Sequence, residues 1–299
     1  MPNIDKLIED LTLEEKIILL SGFNSWYTNK IDRLDIPSIK MSDGPNGVRG
    51  DSNSGKSSAC FPCAISIGST WDMDLINELG IALGEEAKIK DVDVLLGPTI
   101  NIHRHPLGGR HFESFSEDPF LSGKIATEYV KGVQSQNVAA CLKHFIGNDT
   151  EFERHLVSSN IDERSLREIY LLPFEMGVKD GNAQVVMSAY NKLNNIYCSS
   201  HKELLIDILK DEWGFDGYVV SDWGAALEVE ENATGGLDLE MPGPARNWGE
   251  NLLALVKEGK VKESLINDKV RRILNVAKFS KRFENPGIKP EESHDTQPR

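Results

Sequence analysis

Two aspartates occupy positions where a carboxylate can do chemistry. Asp222 ends the apolar run Gly217-Tyr-Val-Val-Ser-Asp-Trp-Gly224, and Asp43 ends Ile36-Pro-Ser-Ile-Lys-Met-Ser-Asp43 just before a Gly/Pro loop. A carboxylate beside the indole of Trp223 can act as a nucleophile or move a proton, and the ring offers a flat face to a sugar. The alternative for Asp222 is a cap on the next helix. Other polar residues follow apolar runs in the same way: Arg110 in the loop after 92–98, Lys143 and His144 near the end of 138–145, and Tyr190 at the end of 184–190. With Arg49 they form a set suited to a polyhydroxylated ligand, in which carboxylates accept from hydroxyls while Arg, Lys and His donate to them. Each also has a structural reading, since Arg110 can pair with Glu113 or Asp118, Lys143 can neutralise an acid, and Tyr190 can belong to the core.

Metal chemistry is the main competitor. His103, His105 and His111 crowd one loop, but Arg104 and Arg110 beside them oppose a dication, and no carboxylate or Cys completes a set. Cys60 and Cys63 lack a second pair. We therefore expect no metal and no cofactor. No phosphate-cradling Gly-rich loop ends in Lys-Ser or Lys-Thr, which argues against a nucleotide enzyme.

The elements that must carry these residues alternate. Thr12 and Glu15 have capping-box spacing in a helix over residues 3–20. Strands are predicted at 36–43, 61–67, 92–98, 138–145, 184–190, 217–222 and 237–242. Helices are predicted at 72–90 with Asp72 as cap, 119–136, 163–180 with an interruption near Pro173, from a Ser200/Glu203 capping box to Trp213, 248–258 and 262–282. Residues 51–59 read as a flexible loop. This alternation predicts a parallel α/β fold. The polar clusters, all just beyond strand C-termini, favour an irregular (β/α)8 TIM-type barrel over a doubly wound sheet. We count one strand too few for an ideal barrel. The barrel domain is expected over 1–285, with 286–299 a linker or disordered tail.

The 299 residues carry 33 Lys and Arg against 47 Asp and Glu, a net charge of −14 spread along the chain, so nucleic acid is not an expected partner. No run approaches the roughly 20 apolar residues of a membrane span, and the N-terminus lacks a signal-peptide core. From these features we expect a cytoplasmic protein without a membrane partner.

Five motifs, in order, resemble the N-terminal barrel of glycoside hydrolase family 3, β-glucosidase type. They are Ser42-Asp-Gly-Pro-Asn-Gly-Val-Arg49; Gly97-Pro98 with Arg104-His-Pro-Leu-Gly-Gly-Arg-His-Phe-Glu113 and Ser116-Glu-Asp-Pro119; Lys143-His-Phe145; Met187-Ser-Ala-Tyr-Asn191; and Val220-Ser-Asp-Trp-Gly224. The resemblance implies that Asp222 is the nucleophile of a retaining mechanism on β-glucosides or oligosaccharides. It implies that Asp43, Arg110, Lys143 and His144 bind hydroxyls of the terminal sugar, that Arg49 supports them, that Tyr190 sits near the nucleophile, and that Met187 and Trp223 form apolar walls. A retaining enzyme also needs an acid/base carboxyl about 5 Å from the nucleophile. In the two-domain relatives that the chain resembles, it comes from a second α/β domain. The sequence here reaches only a linker-like tail, so we expect the barrel half of a longer or split enzyme. The alternative is a sugar-binding or scaffold barrel that has lost its acid. The loop after Lys-His-Phe, with Glu151 and Glu153, departs from the pattern of the family's single-domain branch.

Overall fold

In the computed structural model, which describes residues 2–51 and 56–293, the five strands Met41–Asp43, Val94–Leu96, Ala139–Phe145, Val185–Ser188 and Tyr218–Ser221 form one parallel sheet in chain order. Residues 52–55 of the expected flexible loop and 294–299 of the expected tail lie outside the described residues. Tyr218, Val219 and Val220 are fully buried, and every residue of Ala139–Phe145 is buried too. Such continuous apolar runs belong to strands covered on both faces.

The sheet closes on itself through short bridges. Val220 pairs with Leu239 in parallel, Glu240 with Ser21 in parallel, Gly22 with Thr28 antiparallel, and Tyr27 with Lys40 antiparallel, next to Met41. Going round the ring gives eight staves, two of them the arms of the Gly22–Thr28 hairpin. The fold is thus a TIM-type barrel, irregular at that one place. The turn is set by Asn24, whose Oδ1 accepts the amides of Trp26 and Tyr27 at 2.9 Å each. Gly22 is required by close approach: a Cβ there would lie 2.5 Å from the Gly243 amide nitrogen.

Three expectations are corrected. Residues 61–67 are not a strand. Pro62 has no amide to give a ladder, and Ala64–Gly68 form a short helix whose buried residues, Ala64, Ile67 and Gly68, follow helical spacing. The helix expected over 3–20 is two, Ile4–Asp10 and Leu13–Leu19, because the Thr12/Glu15 capping box starts a new helix in the middle of the span. The Ser200/Glu203 box does not form. Ser200 Oγ instead donates to Glu228 at 2.6 Å, with Tyr197 O at 3.2 Å, and the helix Glu203–Glu212 winds in wide i→i+5 turns.

The interruption near Pro173 takes a similar form. Leu166–Leu171 widen into π-type turns before an α-helix resumes at Leu172–Lys179. A prolyl ring would collide with the carbonyl four residues back in a regular helix, and the wider turn makes room for it. The helices Met73–Ile89 and Pro119–Ser135 are capped by Asp72 and Asp118, and Glu250–Lys257 and Glu263–Phe279 close the body. No described helix is long and apolar enough to cross a membrane. Residues 284–293 have no regular structure but lie against the body, where Lys289 N donates to Asp91 at 2.9 Å and Glu292 N to Ile89 O at 3.0 Å.

Candidate active site

Residues from the C-terminal ends of the strands converge on one cleft. Asp43, Leu96, Arg110, Lys143, His144, Met187, Tyr190, Asp222 and Trp223 line it, together with Trp26 and Arg154, around a volume of about 200 Å³. The barrel architecture supplies the convergence, since the side chains come from strand ends, from the loops that follow them or, for Trp26, from the hairpin.

Asp43 and Lys143 form one side. Lys143 Nζ donates to Asp43 Oδ1 at 2.9 Å, and Arg49 Nη1 lies 3.3 Å from Oδ2. Burial pushes the Asp43 carboxyl up, but Lys143 and then Arg49 outweigh it and hold it below the usual carboxylate range. Arg49 does not line the cleft. Its side chain is 74% exposed and meets the site only through Asp43.

Lys143 and His144 are consecutive, and in a regular strand they would point to opposite faces. The ladder to Val185–Ser188 shifts register between Leu142 and Phe145, and both side chains reach the cleft. His144 is fixed by Asn101, whose amide group donates to His144 O at 2.9 Å while its Oδ1 accepts His144 N at 2.9 Å. The same Oδ1 is 3.1 Å from Nδ1 and so accepts that ring proton. Burial first, then the nearby Arg110, Lys143 and Arg154, push the imidazole well below its ordinary value. The neutral ring therefore carries its proton on Nδ1 and turns a lone pair on Nε2 toward the cleft, 3.8 Å from Asp222 Oδ2. This corrects the expectation that His144 donates: a hydroxyl meeting Nε2 must itself be the donor.

Asp222 follows the strand Tyr218–Ser221 and is buried, with its backbone nitrogen donating to Ser188 O at 3.1 Å. Oδ1 accepts the Trp223 amide at 2.7 Å. Oδ2 is buried without a hydrogen-bond partner. No helix starts here, the next being Glu230–Gly235, so Asp222 is not a helix cap. Burial pushes its carboxyl up, against the Trp223 amide, Lys143, the nearby Tyr190 hydroxyl and Arg110, which pull it down. The Tyr190 hydroxyl donates to Trp223 O at 3.0 Å, and Trp223 Nε1 donates to Ser25 O at 2.9 Å. Trp26 faces Trp223 with ring centroids 5.5 Å apart, so the irregular hairpin supplies half of an aromatic wall.

Trp26, Leu96 and Arg154 were missing from the residues singled out by sequence. The hairpin had a readable signal, a turn-forming Asn24-Ser25 before the β-formers Trp26, Tyr27 and Thr28. Arg154 lay in a loop whose acids drew the attention. Arg110 keeps the pairing with Glu113 that its structural reading proposed, at 2.6 Å, while Asp118 caps the helix Pro119–Ser135. Among the described residues no cluster of three or more His, Cys, Asp or Glu could hold a metal.

The family model described as the N-terminal domain of glycosyl hydrolase family 3 matches residues 15–276. The chain belongs to glycosyl hydrolase family 3. A β-glucosidase of Rhizobium radiobacter is 54% identical over 273 residues, 91% of this chain and 33% of that protein. Family 3 structures agree. A β-glucosidase from Kluyveromyces marxianus, solved in complex with glucose, superposes with a TM-score of 0.93 at 42% identity, covering 99% of this chain and 36% of that one. β-Glucosidase 3B of Thermotoga neapolitana, also in complex with glucose, gives 0.90 at 41% identity, covering 96% and 44%. The chain spans about a third of the length of the curated relatives it matches.

Proposed function

We propose that this chain is the nucleophile-bearing barrel of a retaining β-glucosidase acting on terminal, non-reducing β-D-glucosyl groups. The observation that carries the reading is the unpartnered Asp222 Oδ2, facing a cleft lined by hydrogen-bonding groups. In the first step Oδ2 attacks the anomeric carbon, the bond to the leaving oxygen breaks, and that oxygen takes a proton from an acid. In the second, water displaces Asp222 and gives up its proton to the same group. Lys143, Arg110 and Asp43 hold ring hydroxyls, and such contacts accelerate the reaction where they strengthen in the transition state.

The acid is not among the cleft's own carboxyls. Asp43 is held ionised by Lys143 and Arg49, and Asp222 is the nucleophile. We place the acid on a second α/β domain or chain, which agrees with the greater length of the relatives. The same observation favours one alternative, a barrel that binds sugar without turning it over. A 2-deoxy-2-fluoro-β-glucoside with an activated leaving group separates the two, because a leaving group of low pKa scarcely needs protonation. The proposal expects one sugar added to the intact mass, mapped to the Asp222 peptide. Glucose binding by calorimetry without any adduct would favour the binding barrel.

A further inference from the structure

Arg110 and Arg154 both line the cleft, and one carboxylate touches them both. Glu151 Oε2 accepts Arg154 Nη1 at 2.7 Å, and its Oε1 lies 3.7 Å from Arg110 Nη1. Arg110 is held from its other side by Glu113 at 2.6 Å. Arg154 lies over the Tyr190 ring, 4.7 Å from its centroid, while His155 meets that ring edge-on at 4.3 Å. Tyr190 in turn donates to Trp223 O, beside Asp222. Glu113, Arg110, Glu151, Arg154 and Tyr190 thus form a continuous chain along one side of the cleft.

The backbone fits the same arrangement. Glu151 N donates to Gly108 O at 2.9 Å, tying the loop after Phe145 to the loop that carries Arg110. Gly109 has φ +96°, and a Cβ there would lie 3.0 Å from Glu151 Cγ, so the two loops meet where a larger residue would part them. Two guanidinium groups this close repel each other, and the shared anion offsets that repulsion. A carboxylate occupied by two arginines is badly placed to donate a proton.

We propose that Glu151 is a positioning residue that couples Arg110 and Arg154 into one sugar-binding clamp, and that it is not the acid/base of the reaction. The inference rests on the β-glucosidase reading, and its test uses the full 299-residue chain with Glu151→Gln, Arg154→Met and the double variant. The substrate is 2,4-dinitrophenyl β-glucoside, whose departure needs no acid. Each single variant should raise KM about tenfold, equivalent to about 1.4 kcal/mol, with a much smaller change in kcat and the same response to azide as the native chain. The double variant should lose scarcely more than either single one, because both break the same unit.

A native chain that hydrolyses an alkyl glucoside, together with a Glu151→Gln variant that does not, that stalls as the glucosyl-enzyme on the dinitrophenyl substrate and that azide revives there by forming glucosyl azide, would make Glu151 the acid/base and overturn the proposal. Additive losses would also overturn it. Equal KM losses for dinitrophenyl glucosides with and without ring hydroxyls would show a merely structural role. Should Glu151→Gln not fold, an Arg154→Met variant with unchanged KM is enough to reject the clamp. If the native chain binds glucose but shows neither turnover nor fluoroglucoside labelling, the β-glucosidase reading fails. Calorimetric glucose affinities of the four proteins then decide the coupling by the same test of additivity.

Discussion

Buried aspartates lie beside the two ends of the strand Tyr218–Ser221 in opposite circumstances. Near its N-terminal end, Asp238 is fully buried and both oxygens are used: Oδ1 accepts Lys210 Nζ at 2.7 Å with Lys269 at 3.8 Å, and Oδ2 accepts Val219 N at 2.8 Å. The cations around it are satisfied too, Lys210 by Gly236 O, Lys269 by Leu237 O, and Arg272 by the carbonyls of Phe215 and Gly217. At the C-terminal end Asp222 uses one oxygen and leaves the other bare. A buried charge with both oxygens engaged holds a fold together. One with a free lone pair facing a cleft is costly to the fold and available to a substrate.

Removing the two charges should therefore have opposite consequences. Asp222→Asn should abolish fluoroglucoside labelling and lower turnover of an activated aryl glucoside by at least about 10³-fold, while unfolding in urea stays where it was or moves to higher denaturant. A variant with near-native turnover would show that the bare oxygen is not the nucleophile. Asp238→Asn should leave glucose affinity intact in whatever fraction folds, and should lower stability by about 3–5 kcal/mol because Lys210 and Lys269 lose their shared anion. A cost below about 1 kcal/mol would mean that water replaces the carboxylate there.

The contrast between these aspartates was only half legible in the sequence. Asp222 and Asp43 could be read because an acid at the end of an apolar run, before a glycine, is a local pattern. Asp238 has the same kind of apolar neighbours, and nothing local says that Lys210 and Lys269 come to it across the fold. Barrel closure was hidden for a related reason: the staves at 21–22 and 27–28 are too short for any period, and Phe61–Ile67 supplied a false strand in their place. That Lys143 and His144 share a cleft contradicts strand alternation and coincides with a register shift against the neighbouring strand. The direction of the His144 hydrogen bond needed Asn101, 43 residues away in sequence.

Asp149 lies between the two extremes and gives the smallest effect. It is 8% exposed, lines a polar recess with Asn148 behind His144, and engages one oxygen, Oδ1 accepting Ile102 N at 3.2 Å. Burial pushes its carboxyl up to about 7 from 3.8, against the pull of the Ile102 amide and Arg104. With the folded value above the unfolded one, the native state keeps a proton that the unfolded chain releases between those limits. Stability is therefore lost as pH rises from about 4 to about 7, and the loss is complete above that window. Asp149→Asn keeps the Oδ1 acceptor and never ionises, so its stability relative to the native chain should rise by about 3 kcal/mol between about pH 5 and about pH 8. Urea unfolding at the two pH values measures this directly. Parallel curves would mean that Asp149 is ionised throughout and belongs with Asp238, its second oxygen engaged through the recess; diverging curves would place it with Asp222, a carboxyl whose burial is incompletely compensated.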